Sequence, residues 1–303
     1  MFEKPLGGTE LMFNELVRRL PQIEEKFSIF NYTNKADFNK SMIYWNQLSY
    51  DQDAVKFLEY TENISRIDNF VFVSHWQAEY FRKIYKIPGE KTHVIKNACI
   101  GVPDREIVKK ENLKICYTST PWRGLDVLLK AWEILDPKNC ELHVFSSCDI
   151  YGTEFSSNEN QKYQYLYEWC QRLPNVVYRG SVPNDLLRKE LSEFDMLAYP
   201  STFEETSCIA VIDALCAGLR VVTSAIGALP ETTEGWARMY SYIESREDHA
   251  KLFSEILAEE IDLMLSGKLI DSLKRQKIEY SNKWHWDSRI EDWEKLLKKI
   301  ENQ

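Results

Sequence analysis

The sequence predicts an α/β protein built on doubly wound parallel sheets, and three observations lead there. From residue 114 onward, short apolar runs alternate with longer helical stretches: strands are expected at 114–118, 141–146, 176–178, 196–199, 220–224 and 237–240, and helices near 124–135, 157–172, 184–193, 207–217, 228–233 and 246–265. Residues 68–74, Asp-Asn-Phe-Val-Phe-Val-Ser, are apolar throughout their centre, as in a parallel strand covered on both faces. Finally, Met196-Leu-Ala-Tyr199, a helix over Ser207–Ala217, the stop at Gly218 and Arg220-Val-Val-Thr-Ser224 make a complete strand–helix–strand unit. Ile209, Val211, Ile212, Leu215 and Cys216 cover more than one face of that helix, so it is expected to be buried on both sides.

Taken in order, the chain begins Met-Phe-Glu-Lys-Pro-Leu-Gly-Gly-Thr-Glu, which does not read as a signal peptide. A helix follows, with Met12, Leu16 and Leu20 on one stripe and Phe13 and Val17 beside them; Thr9 is placed to cap it. Gly7-Gly8 before a helix suits an anion loop, and equally an ordinary turn. No strand is read ahead of the glycines, so the first domain is expected to be small and trimmed. Phe27–Phe30 and Met42–Trp45 read as strands, with a helix beginning near Asp53. Asp51-Gln-Asp53 fits the Asp-x-Asp metal pattern and also a helix cap; the cap is the reading taken. His75 opens a helix at a strand's carboxyl end and is read as a surface hydrogen-bonding group, and Thr92–Ile95 is a further strand. Residues 101–113 are polar and aperiodic, as a linker should be. The tail from 268 is helical, with Trp284, Trp286 and Trp293 among charges that read as a solvated face.

Composition narrows the function. A chain of 303 residues, 44% hydrophobic and 28% charged, is globular and long enough for two domains. Its net charge of −9 argues against a general nucleic-acid partner. No apolar run approaches the roughly 18 residues of a transmembrane segment. Seven cysteines, an odd number without a Cys-x-x-Cys pair, point to reduced thiols and a cytoplasmic location.

Three stretches carry chemistry. In Thr118-Ser-Thr-Pro-Trp-Arg-Gly124 a strand ends, hydroxyl-bearing residues including Ser119 turn the chain, and Arg123 opens a helix where its fork of donors suits a diphosphate or a surface carboxylate. In Pro200–Gly218, Glu204 and Glu205 lie on a loop between a strand's carboxyl end and a helix's amino end, the place where open α/β sheets receive ligands. Asp213 stands inside that helix, and a buried acid bonded to a neighbouring turn would explain it as well as a ligand would. In Ser224–Glu231, Gly227 and Pro230 read as turn chemistry.

Together, Glu205-x7-Asp213, Ala214-Leu-Cys-Ala-Gly-Leu-Arg-Val-Val222 and Gly227-Ala-Leu-Pro-Glu231 resemble the carboxy-terminal signature of family 4 retaining glycosyltransferases with the GT-B fold, the glycosyl transferases group 1. Arg123-Gly-Leu-Asp-Val-Leu-Leu129 resembles that family's phosphate helix, with arginine for lysine; Val94-Ile-Lys-Asn97, Gly7-Gly8 and Trp286 with the last helix resemble its other landmarks. The resemblance implies two Rossmann-like domains facing a cleft: an acceptor-side domain over 1–105, a nucleotide-sugar domain over 106–281, and a terminal helix over 282–303 returning to the first. It implies a retaining transfer from a nucleoside-diphosphate sugar to a glycan, lipid or protein acceptor, with no cofactor and no metal. Arg123 would hold the diphosphate and Glu205 the donor sugar, as the catalytic pair. Ser119, Thr206, Ser207, Cys208 and Ile209 would receive phosphate or sugar oxygens, the last four chiefly through their backbone. Asp213 would take the ribose, Gly180 and Val182 the base, and the Gly8 backbone would close on the phosphates. Three positions depart from the pattern: Asp213 replaces a glutamate, Thr118 stands where an arginine is often found, and Asn46 or Gln47 stands where a histidine is often found. The alternatives are a non-catalytic nucleotide-sugar-binding or assembly protein and a nucleotide-sugar epimerase on the same fold.

Overall fold

Two all-parallel sheets divide the apolar residues between them. The computed structural model describes residues 7–31, 36–148 and 153–302, so the reading of Met1–Leu6 lies outside the described residues. The first unit runs α1 (Gly8–Arg19), α2 (Ile23–Lys26), β1 (Phe27–Phe30), β2 (Ser41–Asn46), α3 (Thr61–Arg66), β3 (Asn69–Phe72), α4 (His75–Tyr85) and β4 (Thr92–Val94). Its strands pair in the order β1-β2-β3-β4. Alternation sorts their side chains to two faces: Ile43, Trp45 and Val71 pack with Met12 and Leu16 of α1, while Tyr44, Phe70 and Phe72 pack with Phe81 of α4. Asp53 opens a 3-10 turn over Asp53–Glu59 rather than an α-helix, and it is exposed and paired with Lys56 at 2.6 Å. Thr9 does not cap α1. Gly7 holds that position, its carbonyl accepting from the Leu11 N–H at 3.1 Å, and Thr9 lies buried inside the first turn.

The second unit runs β5 (Leu113–Thr118), α5 (Leu125–Leu135), β6 (Cys140–Phe145), α6 (Thr153–Arg172), β7 (Val176–Tyr178), α7 (Asn184–Glu190), β8 (Met196–Tyr199), α8 (Ile209–Cys216), β9 (Arg220–Ala225), α9 (Leu229–Thr233), β10 (Arg238–Ser241) and α10 (Arg246–Ser266). The sheet order is β7-β6-β5-β8-β9-β10, so the winding reverses between β5 and β8. At such a reversal the connections that follow the two neighbours return along opposite faces of the sheet, which leaves a crevice at the strands' carboxyl ends. Helix α8 starts at Ile209, two residues later than the sequence suggests, because Cys208 is still extended at φ −79°, ψ 101°. Its Val211, Ile212, Ala214 and Leu215 are completely buried, and Gly218 takes φ +75° to end it.

The tail is two helices, α11 (Ile270–Trp284) and α12 (Trp286–Glu301), broken at His285. Trp284 packs with the second core. Trp286, Trp293 and Leu296 pack with the first, where the Trp293 and Trp45 rings meet edge to face at 5.0 Å. All seven cysteines are buried. Among the described residues no helix is long and apolar enough to cross a membrane.

Candidate active site

The crevice at the β5/β8 reversal continues into a cleft of about 560 Å³ that the first unit closes on its other side. The β5 exit is shaped by backbone needs. The Tyr117 hydroxyl donates to the Thr120 carbonyl at 2.7 Å, a 3-10 turn spans Pro121–Arg123, and Gly124 follows at φ +108°. A Cβ on Gly124 would stand 2.1 Å from the Pro200 carbonyl oxygen, so only glycine lets the β5 and β8 loops meet this closely. Thr202 seals the contact by donating to the Trp122 carbonyl at 3.2 Å.

Arg123 and Glu205 meet where these loops touch. The guanidinium Nη1 donates to both Glu205 carboxylate oxygens, at 2.8 and 3.0 Å, and the Arg123 Cζ lies 4.7 Å from the centre of the Phe203 ring. The Tyr199 hydroxyl, at the end of β8, donates to Glu205 Oε1. Resemblance assigns these two side chains to the diphosphate and the sugar; here each is the other's partner. Glu205 is 3% exposed, so its carboxylate is desolvated and the part-buried arginine supplies the counter-charge that burial demands. The Gly227 turn does more than turn. It brings its α-carbon against the Glu205 backbone, where a Cβ would lie 2.6 Å from Glu205 N, and the Ala228 N–H donates to the Glu205 carbonyl at 2.7 Å.

Beyond this pair the loop enters α8, whose amino end has no side-chain cap. Its first amides and the positive end of its dipole therefore lie on the cleft wall, which Ser207, Cys208, Ile209 and Ala210 line. Asp213 lines the cleft one turn further along. Burial pushes its carboxyl up to about 6, against the opposing influence of the Cys99 thiol and the Arg188 guanidinium. Three buried polar atoms on this wall, Thr120 Oγ1, Ser207 Oγ and Asp213 Oδ1, have no hydrogen-bond partner in the protein. A buried polar atom left unpaired costs about 1–3 kcal/mol, a cost that a polar ligand would remove.

The first unit faces this wall with its own helix end. Gly7 caps α1, and a Cβ on Gly8 would lie 2.9 Å from Ile209 Cδ1, so the amino ends of α1 and α8 approach each other across the cleft. Gln47 and Asn97 exchange side-chain amide bonds at 3.0 and 2.9 Å. The Gln47 carbonyl accepts from Thr206 Oγ1 at 2.9 Å, so Thr206 uses its side chain as a tie between the units and not its backbone alone. Asn46 turns away to the Leu48 backbone.

Gly8, Ser119, Arg123, Gly180, Val182, Glu205, Thr206, Ser207, Cys208, Ile209 and Asp213 all line this one cleft. Arg179, next to Gly180, is committed elsewhere: its Nη2 grips Glu190 at 2.8 and 2.9 Å. Sequence reasoning missed Arg188, a second cation in the cleft, and Tyr199. A signal for Arg188 existed, since Asn184, Leu187, Arg188 and Leu191 stand at i, i+3, i+4 and i+7 and all line the cleft. Glu231, by contrast, serves the joint between units, accepting from the His75 and Trp76 N–H groups at 2.9 and 3.2 Å. Among the described residues no group of three or more His, Cys, Asp or Glu is placed to hold a metal ion.

Comparison with known proteins places this geometry. Residues 113–259, just under half of the chain, match the model of the family described as Glycosyl transferases group 1. The uncharacterized glycosyltransferase MJ1607 of Methanocaldococcus jannaschii is 26% identical over 205 residues, covering 60% of this chain and 48% of that protein, so the chain spans about half the length of this curated relative. Among solved structures, sucrose-phosphate synthase from Thermosynechococcus elongatus superposes with a TM-score of 0.66 at 13% identity, over 96% of this chain and 78% of that one. HepE of Anabaena, solved in complex with UDP and glucose, gives 0.64 at 13% identity, over 97% and 84%. The chain has the GT-B fold of these glycosyltransferases.

Proposed function

We propose that the protein is a glycosyltransferase that binds a nucleoside-diphosphate sugar in the cleft and transfers the sugar, with retention, to an acceptor presented from the first unit. The observation that carries this reading is the wall at the β5/β8 reversal, where orphaned polar atoms, an uncapped helix end and two arginines converge. A diphosphate is the ligand whose charge suits the helix end and the guanidinium groups together. Asp213, its Oδ1 without a partner, takes the ribose hydroxyls. The base lies against Gly180 and Val182.

As the glycosidic bond breaks, negative charge grows on the leaving diphosphate. Arg123 and the amino end of α8 stabilise that charge with donors already aimed at the cleft. Arg123 reaches the phosphate with one edge of its fork while Glu205, held by Tyr199, keeps the guanidinium aimed and accepts from the sugar's hydroxyls. The acceptor attacks from the face the diphosphate is leaving, and the departing phosphate oxygen takes the acceptor's proton. Glu205, whose two oxygens are both engaged, is thereby a positioning and sugar-binding group and not a nucleophile.

A thermal-shift panel of UDP-, GDP- and ADP-sugars, followed by a hydrolysis assay with the best binder, tests this. Arg123→Ala is expected to cost about 2–4 kcal/mol of transition-state stabilisation. A folded Arg123→Ala protein that turns over donor like the wild type defeats the assignment. Binding without turnover across an acceptor panel favours a non-catalytic binder, and donor conversion with no acceptor, followed by NMR, favours an epimerase.

A further inference from the structure

We infer that the side-chain amides of Gln47 and Asn97 bind the acceptor, and that the acceptor they take is an uncharged sugar presenting two neighbouring hydroxyls. This rests on the glycosyl-transfer reading and adds to it the chemical class of the acceptor. Gln47 follows the last residue of β2 and Asn97 lies just beyond β4, with β3 between those strands in the sheet. The two side chains therefore reach over the carboxyl end of β3 to exchange bonds, Gln47 Nε2 to Asn97 Oδ1 at 3.0 Å and Asn97 Nδ2 to Gln47 Oε1 at 2.9 Å. Both residues line the cleft, and Asn97 is 2% exposed. A carboxamide has two N–H donors and two carbonyl lone pairs. Among the described residues these side chains bond only to each other, so each keeps one donor and one acceptor for a group in the cleft.

The loop that carries Gln47 is held from both sides. Asn46 Oδ1 accepts from the Leu48 N–H at 3.0 Å and its Nδ2 donates to the Leu48 carbonyl at 3.1 Å. Gln77 of α4, completely buried, donates to the same carbonyl at 2.7 Å. The Gln47 carbonyl is tied to Thr206, the neighbour of Glu205. The amides are thus set in place before an acceptor arrives, across from the loop proposed to hold the donor sugar. Their chemistry selects a neutral polyol. A hydroxyl both donates and accepts, so two adjacent hydroxyls match what the two amides leave, whereas a peptide hydroxyl uses half of it. Ser49 and Gln52 extend the same wall with neutral groups. Among the described residues the first unit places no lysine or arginine on the cleft, and its one charge there is Asp53, so a phosphate on the acceptor gains no counter-charge from this wall. The amides neither give nor take a proton. They position the attacking oxygen as it bonds to the anomeric carbon and the bond from that carbon to phosphate breaks, and the hydroxyl proton leaves on the departing phosphate oxygen.

Saturation-transfer NMR on the full chain with a nucleoside diphosphate bound tests this, using methyl glucosides, mannosides and N-acetylglucosaminides, their 6-phosphates, and N-acetylserine amide. The expected result is a neutral glycoside that binds more tightly than its 6-phosphate and than the serine amide. Gln47→Met should weaken that glycoside about tenfold, and Gln47→Asn combined with Asn97→Gln, which rebuilds the pair, should restore it to within about threefold. One monodeoxy form of the glycoside should lose about tenfold against wild type and less than about twofold against Gln47→Met, a coupling that a merely structural tie does not produce. The melting shift given by the diphosphate should persist in both variants. Tighter binding of a 6-phosphate or of the serine amide, no saturation of any neutral glycoside, or unchanged glycoside affinity in Gln47→Met overturns the inference. Loss of the diphosphate's melting shift in folded Gln47→Met overturns it by placing the pair in the donor site. Failure of every nucleoside diphosphate and nucleotide-sugar to shift the melting temperature overturns the glycosyl-transfer reading instead.

Discussion

The two units bring opposite chemistry to the cleft they share. The second lines it with Arg123, Arg188, Glu205 and Asp213; the first lines it with the Gly7-Gly8 helix end, amides such as Gln47 and Asn97, and a single charged residue, Asp53, which is exposed and paired with Lys56. Their architecture differs in the same sense. The second sheet reverses its winding, which makes a crevice, and its core takes in Tyr280 and Trp284 of α11; the first runs in simple order, and its core is completed by α12 from the far end of the chain. The lesson is a division of labour. The unit with the crevice and the buried charges is suited to an ionised ligand, and the neutral unit to an uncharged one.

The largest test of that comparison is structural. Trp293 is fully buried against Trp45, so Trp293→Ala should cost about 3–5 kcal/mol. The loss should fall on the first unit, and hydrogen exchange should show β1–β4 amides losing protection while β5–β10 keep theirs. Equal loss in both sheets would break the comparison.

A smaller effect, of opposite sign, is expected from Asp213. Its folded carboxyl lies near 6 against an ordinary 3.8, so the folded state holds the proton more tightly. That contribution is fully present below pH 4 and is lost as the pH rises through 6. Asp213→Asn removes the loss, raising stability at pH 7 by up to about 3 kcal/mol relative to wild type, while weakening nucleotide binding. Urea titrations of both proteins at pH 4 and pH 7 check this; a difference that does not grow with pH would show that the carboxyl is not desolvated as described.

The smallest effect belongs to the joint. Glu231 caps the amino end of α4 across the units and is 3.4 Å from Lys96. Glu231→Gln should cost about 1 kcal/mol, as lost helix caps do, and should separate the two units' melting transitions in calorimetry without changing donor affinity. An unchanged thermogram would mean that the other ties, among them Thr206–Gln47, Tyr50–Glu204 and Lys96–Glu234, hold the joint without it.

Much of this was legible from residue order. The strand runs, the stop at Gly218 and the Glu205 loop ahead of a helix announce themselves through local pattern, whereas Gly180, Val182 and the roles of Arg123 and Asp213 followed from the family resemblance, and Arg188 and Tyr199 were missed. The misreadings were local too: Thr9 as a cap, a helix at Asp53, and α8 begun at Ser207. Each turned on a choice between neighbouring backbone states differing by about 1 kcal/mol, which tertiary contacts readily override.

Glu205 shows where local pattern ends. Its spacing to Asp213 is written in the chain, and so is the glycine that supports its loop. Its partner is not. The bond to Arg123 joins residues 82 positions apart, and the tie from Thr206 to Gln47 joins residues 159 apart. Periodicity and turn chemistry set elements because they act between near neighbours. Which charge meets which, and which polar atom is left without a partner, depends on how the loops from β5 and β8 close together, and only the folded packing decides that.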